Sequence, residues 1–301
     1  MRVLHGGLFA LVLVLWILTP AAPAQTLPPE KGFTEVETFQ GEANSSEKTL
    51  KLDSNLGYDF NKHFGVFAGV PIYFTSFPAG TAGTSATGTT TAGGTVSGLG
   101  NVYLGLALRA PNPALNYAST ITAGAPTGDT KKGLSTGRAT VDWVNRFDRS
   151  FDRLTPFFEA GLGNSVPDTR LQTRAFTSLG AVTHFEEGAE YELAHHFAVG
   201  GSGFEVVPFG NQKVLSKVAR GGGGSGTSGK GKHGAFQDTF SSSGTGITRE
   251  NGINTWVAFE PSGRLWRAEL GFSRSMTFDL NSFTFNLGVN IGKMLRSRGA
   301  S

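Results

Sequence analysis

Phe283-Thr284-Phe285-Asn286-Leu287-Gly288-Val289-Asn290-Ile291 decides how the rest of the chain reads. Phe283, Phe285, Leu287, Val289 and Ile291 share one parity; Thr284, Asn286, Gly288 and Asn290 share the other. Successive side chains of an extended chain point to opposite faces, so this is a strand with one wholly apolar face and one polar or small face. Just before it, Trp266, Ala268, Leu270 and Phe272 alternate with Arg267, Glu269, Gly271 and Ser273, which sets two charges opposite the aromatics. Upstream, Leu50, Leu52, Leu56 and Tyr58 oppose Lys51, Asp53, Asn55 and Asp59, and Val102, Leu104, Leu106 and Leu108 oppose Tyr103, Gly105, Ala107 and Arg109.

A soluble β-sandwich also alternates, with its apolar face in a core and its polar face in water. Three features point elsewhere. The segments run to about 10 residues or more, the length a tilted strand needs to cross a bilayer, whereas soluble strands average about 5 to 6. Their polar faces are rich in Gly, Asn, Thr and paired charges, as a hydrated lumen is. Aromatics gather at segment ends, at Phe60, Phe64, Phe74, Phe147, Phe151, Tyr191, Phe197 and Phe278, as interfacial girdles do.

Connections agree. Short ones at Asp59 to His63, Ala110 to Pro113, Asp148 to Asp152, Ala194 to His195 and Glu260 to Gly263 take turns with longer ones at Phe77 to Val96, Pro126 to Thr136, Ser165 to Arg174 and Pro208 to Gly246. That alternation gathers the short turns at one end of a ring of hairpins, the periplasmic end of an outer-membrane barrel. The expected fold class is therefore all-β: a transmembrane antiparallel up-and-down β-barrel of about 12 strands with both termini in the periplasm. The strand centres fall near Thr38, Ser54, Ala68, Gly105, Thr120, Asp142, Ala160, Thr183, Gly201, Val257, Glu269 and Leu287. The stretch from Ala194 to Val207 is the least regular, and its Gly200, Gly201 and Gly203 leave room for a bulge; the first segment, Thr34 to Gln40, is also weak.

Arg2 precedes an apolar core from Leu8 to Leu18 and the small-residue sequence Ala22-Pro23-Ala24, the pattern of a secretory signal peptide cleaved after Ala24. Residues 1–24 are thus read as the signal peptide and 25–301 as the barrel domain, which has no second apolar run long enough for a spanning helix. Cysteine is absent, so disulfides, thiolate metal sites and Cys nucleophiles are excluded. Charged residues are 16% of the chain against about 25% in soluble proteins, while phenylalanine is plentiful. The net charge of +3 comes with no basic run inside a strand, which gives nucleic-acid binding no electrostatic support. Residues 77–96 and 208–246 are read as flexible outer loops, because Ala79 to Val96 is almost wholly Gly, Ala, Ser and Thr and Gly221 to Gly234 is Gly/Ser-rich. Within the second, Asn211 to Arg220 reads as a short helix at the barrel mouth.

If Val141, Trp143 and Phe147 face lipid, Asp142 and Arg146 face the lumen, and Phe158, Ala160 and Leu162 on the next strand leave Glu159 inside. The tight turn at Asp148 to Asp152 brings Asp142 near Glu159. His184, Glu186, Glu190 and Glu192 share a second lumenal parity, and Arg267 with Glu269 forms a third group. Charges converging on a narrow passage set its polarity; the plainer alternative is a ladder of ion pairs that only solvates and stiffens the interior. Same-face neighbours on a strand stand about 7 Å apart and no His-rich second half completes a shell, so neither a metal nor another cofactor is expected. Serines abound in the loops, yet no G-x-S-x-G elbow is present and no His stands in evident partnership with one, so no enzyme is expected and a barrel-embedded hydrolase is the weakest reading.

Ser97-Gly98-Leu99-Gly100-Asn101 leads into Leu104-Gly105-Leu106, and Pro126-Thr127-Gly128-Asp129 is followed by Gly133 and Thr136-Gly137. Over about Ser97 to Gly163 the chain resembles the outer-membrane transporter family named for the meta-pathway of phenol degradation, with Asn101 where that family usually has Asp. The resemblance implies passage of small aromatic or hydrophobic compounds. The expected function is a passive outer-membrane channel; the alternative is a structural or adhesive barrel with a closed lumen. Expected partners are a small-molecule solute, the barrel-assembly machinery, outer-membrane lipid and lipopolysaccharide; Lys131-Lys132, the lysines around Gly231, and Arg296 and Arg298 are basic groups at the two rims able to attract anionic lipopolysaccharide or lipid, with solvated loop and tail charges the plainer account. Many outer-membrane barrels end their last strand on an aromatic residue; this chain continues through Lys293-Met294-Leu295-Arg296, read as a short basic tail.

Overall fold

A computed structural model describes residues 31–43, 48–77, 94–130, 134–135, 137–165, 176–194, 196–216, 237–243, 249–261 and 265–298. The segment expected to be a signal peptide, and most of the two segments expected to be outer loops, lie outside these residues. The strands are β1 Gly32–Ala43, β2 Lys48–Asp59, β3 Phe64–Phe77, β4 Gly94–Leu99, β5 Tyr103–Ala110, β6 Asn116–Gly124, β7 Thr140–Asp148, β8 Leu154–Ser165, β9 Phe176–Ala194, β10 Phe197–Pro208, β11 Asn211–Ser216, β12 Gln237–Ser243, β13 Glu250–Phe259, β14 Trp266–Ser275 and β15 Leu280–Asn290, followed by helix α1 Ile291–Arg298. All pair antiparallel. The ring runs β1-β2-β3-β5-β6-β7-β8-β9-β10-β13-β14-β15 and closes between β15 and β1, giving twelve staves. Each of the twelve expected centres lies in its own stave.

Three short strands extend staves. β4 and β5 both pair with β3, at Ile72↔Leu99 and Gly69↔Tyr103, and are one stave interrupted at residues 100–102. Pro71 explains the interruption. Its carbonyl accepts from Gly100 N at 2.7 Å, so its nitrogen faces the same neighbour and has no proton to give, and the ladder lacks a bond there. β11 prolongs β10 along the upper part of β9, and β12 pairs with β11 before the chain returns as β13. This corrects the expected helix over Asn211 to Arg220: residues 211–216 form a strand. The prolonged edge of β9 needs a partner, and Gln212 turns inward, donating to Ala181 O at 2.8 Å and Phe209 O at 2.6 Å.

Burial is inverted relative to a soluble domain. Leu104 is 63% and Phe283 62% exposed, while Glu186, Gln212 and Asn290 are at 1% or less. On most staves the apolar parity faces outward and the polar parity inward, and among the described residues the cluster of buried hydrophobic residues is the pair Val182 and Val206. Such a surface is stable only against hydrocarbon. Around the short-turn end, Phe33, Tyr58, Phe60 and Phe64 pack in a row, edge to face and then tilted, at 4.9, 5.1 and 5.4 Å between successive rings, and Phe197, Phe259 and Trp266 continue at 4.8 and 5.3 Å. This girdle marks a membrane interface. At the opposite end not every connection is long: residues 276–279 close a four-residue turn, helped by Asp279 at φ 49° and its 2.6 Å ion pair with Arg274. Ile291, read as strand, instead opens α1, where Asn290 Oδ1 caps the backbone N–H of Lys293 at 2.8 Å.

β1 departs from the pattern, because Glu35 and Glu37 share the outward parity of Phe33 and Phe39. Glu37 pairs across to Leu287 on one side and accepts from Ser54 Oγ at 2.8 Å on the other. A carboxylate on the lipid face costs free energy, less than an arginine there. Glu37→Leu is expected to raise stability by about 1 kcal/mol, read from urea titration of the refolded barrel; a loss would place this face against a polar surface instead of lipid.

Candidate functional site: a two-walled charged lumen

The first wall spans β7 to β14. On β7 and β9, Asp142 Oδ1 and His184 Nε2 meet at 2.8 Å. They reach one another across β8 because Gly161 and Gly163 stand between them: a Cβ at Gly161 would collide with the His184 ring, and one at Gly163 would press on Asp142 Oδ1. One step nearer the short turns, Arg146 lies 3.7 Å from both Glu159 and Asp148, with its guanidinium 3.9 Å above the Phe157 ring. That ring adds a cation–π contact to the two ion pairs.

Glu159 and Glu186 sit directly opposite on β8 and β9. Glu186, at 0% exposure, accepts from Ser202 Oγ and, at 3.1 Å, from Asn254 Nδ2. Its Oε2 and the Oδ1 of Asn254 are buried without a hydrogen-bond partner. Further round, Glu190 accepts from Trp256 Nε1 at 2.9 Å and Arg267 Nη2 at 2.8 Å. Again glycine makes the room, since the Trp256 ring lies where a Gly200 side chain would be. Arg267 also reaches Glu269 at 3.2 Å and Glu260 at 3.7 Å, and Asn286 and Thr38 carry the belt on to β15 and β1.

The second wall joins β2 and β5 across β3. Lys51 pairs with Asp53 at 3.1 Å, Tyr103 Oη donates to Asp53 at 2.9 Å, and Arg109 binds Asp59 at 2.6 Å. Gly65 and Gly69 on β3 leave the space, for a Cβ at either would strike Asp59 or the Tyr103 ring. The residues chosen from sequence did not include this wall, although its members stood on polar parities already recognised. The missed signal was glycine on the lumenal parity of an intervening stave, which lets side chains two staves apart touch.

The register refines what the sequence had brought together: Asp142 lies opposite Gly163 and Glu159 opposite Arg146, so Asp142 and Glu159 are neighbours along the β7–β8 pair, as expected, without facing one another directly. Arg146 joins Glu159, and Glu190, Arg267 and Glu269 form one cluster. The belts line a ring whose interior no described strand crosses.

A closed ring of twelve antiparallel staves, apolar outside and charged inside, with an aromatic girdle, defines an outer-membrane β-barrel. Among solved structures, an outer membrane channel from Pseudomonas putida F1 is similar over 90% of this chain and 99% of its own, with TM-score 0.56 and 11% identity. The transport unit of the autotransporter AIDA-I from Escherichia coli (TM-score 0.46, 9% identity, 94% and 96% of the two chains) and the Pseudomonas putida toluene transporter TodX (0.45, 7%, 91% and 93%) are also similar. The likeness to the first is one of fold. No family model and no curated protein matches the sequence.

Proposed function

We propose that the protein is a passive outer-membrane channel for small molecules, in which lumenal charge sets the polarity of the path. The observation that carries this reading is the pair of charged belts lining a ring that no described strand crosses. A barrel of about 12 strands has a lumen wider than the eight-stranded barrels that side chains fill and narrower than the 16 to 18 strands of open porins. Ion pairs inside such a ring keep it hydrated and act on solutes at close range. Aromatic side chains beside the charges, Trp256 on one wall and Tyr103 on the other, offer flat apolar contacts, which suits the small aromatic compounds that the sequence resemblance implies. Lipid and lipopolysaccharide surround the barrel, and the barrel-assembly machinery inserts it.

The test is single-channel conductance of the refolded mature chain, residues 25–301, in a planar bilayer, beside the double variant Asp142→Asn, Glu159→Gln. Discrete steps are expected, with ion selectivity shifted toward anions in the variant. A folded, heat-modifiable barrel that never conducts would overturn the channel and leave the structural or adhesive reading.

A further inference from the structure

We infer that the lumen prefers cations and that the wall from β7 to β14 takes small solutes carrying a protonated amine. This rests on the channel reading and adds a solute class to it. On the second wall charges balance, since Lys51 pairs with Asp53 and Arg109 with Asp59. On the first they do not. Arg146 is shared by Asp148 and Glu159, and Arg267 by Glu190, Glu260 and Glu269. Among the described residues Asp142 is hydrogen-bonded to His184, and Glu186 to the neutral donors Ser202 and Asn254. The wall therefore carries an excess of carboxylates, held in a wall of low dielectric that focuses their field on the passage.

A second observation points the same way. Two buried acceptors, Glu186 Oε2 and Asn254 Oδ1, have no donor, although the two side chains already share a bond at 3.1 Å. Each is turned to the lumen by its stave's parity. Enclosed as they are, they lie beyond the reach of a solute, and they mark this stretch of wall as one with acceptors in excess of donors. Arg146 on Phe157 shows the geometry in miniature: a delocalised cation on an aromatic face with carboxylates at its edge. Partly exposed Trp256, with its N–H held by Glu190, offers a like arrangement to an incoming ammonium. Glu186 itself is wholly buried, so contact falls to the more accessible Glu190, Asp142 and Trp256.

The experiment uses the refolded mature chain at neutral pH under a potassium chloride gradient. The reversal potential is expected to give potassium over chloride by at least about threefold. In liposomes, benzylammonium is expected to enter faster than benzoate, a pair matched in size and opposite in charge. The double variant Glu186→Gln, Glu190→Gln is expected to bring the ion ratio close to one. Thr120→Lys, which adds a cation to an uncharged lumenal stave and leaves every belt residue in place, is expected to lower it as well, so the test survives misfolding of the double variant. Steps that favour chloride or neither ion, or equal entry of the two aromatic ions, overturn the cation preference and leave the channel standing. Absence of steps overturns both.

Discussion

Arg267→Leu is expected to destabilise the folded barrel by about 3–5 kcal/mol, because it removes the only cation shared by three carboxylates. The Arg267 side chain is 10% exposed and lies 2.8 Å from Glu190, 3.2 Å from Glu269 and 3.7 Å from Glu260. Leucine fills similar volume but leaves those carboxylates facing one another in a confined wall, with Glu190 reduced to its bond from Trp256. Arg267→Lys should recover part of the loss, since it restores charge but not the fork that reaches several partners at once. Urea titration of the refolded protein, followed by tryptophan fluorescence and by heat-modifiable migration, measures both. A loss under about 1 kcal/mol for Arg267→Leu would mean that the cluster is solvated like a surface ion pair and that the lumen there is wide.

Leu106→Arg is expected to cost about 2–4 kcal/mol by the same titration, the penalty of an arginine near the middle of the lipid-facing band. Leu106 is 45% exposed and sits between Val66 and Ile121 on the outward faces of β3 and β6. The informative comparison is Thr120→Arg, one position away in the β5–β6 register but on the lumenal parity, opposite Ala107. Its charge enters hydrated space and should cost less than about 1 kcal/mol. Equal penalties would overturn the assignment of outer and inner faces on which the membrane reading rests.

The twelve staves were legible because a strand buried in lipid on one side shows it at every second residue, and the segment from Phe283 to Ile291 is the cleanest instance. Where the pattern was faint, a physical cause is now visible. Glu35 and Glu37 occupy outward positions of β1, which hid its apolar face. β11 escaped because six residues carry too little periodicity to set against helix propensity, and only the edge of β9 decides between them. The break in β4 and β5 depends on Pro71, some thirty residues earlier, and no local reading of residues 100–102 could find it.

Lumenal residues were recovered by parity, but their partners were not. Parity says which way a side chain points and nothing about its reach. Reach is set by what stands on the stave between, so the Asp142 to His184 contact depends on Gly161 and Gly163, and the overlooked belt of Tyr103, Asp53, Arg109 and Asp59 depends on Gly65 and Gly69. Glycines at alternate positions of a barrel strand are thus worth reading as windows between their neighbours.

The seam between β1 and β15, paired from Thr34↔Asn290 to Ala43↔Asn281, joins residues that are among the most distant in the sequence. Its closure is therefore the last and most non-local event of assembly, and every other stave must be in place before the two edges can meet. Until then both strands carry unpaired backbone groups able to pair with a foreign chain. A product truncated before Leu280 would keep that exposed edge for as long as it lived, and would be a seed for aggregation instead of a narrower pore.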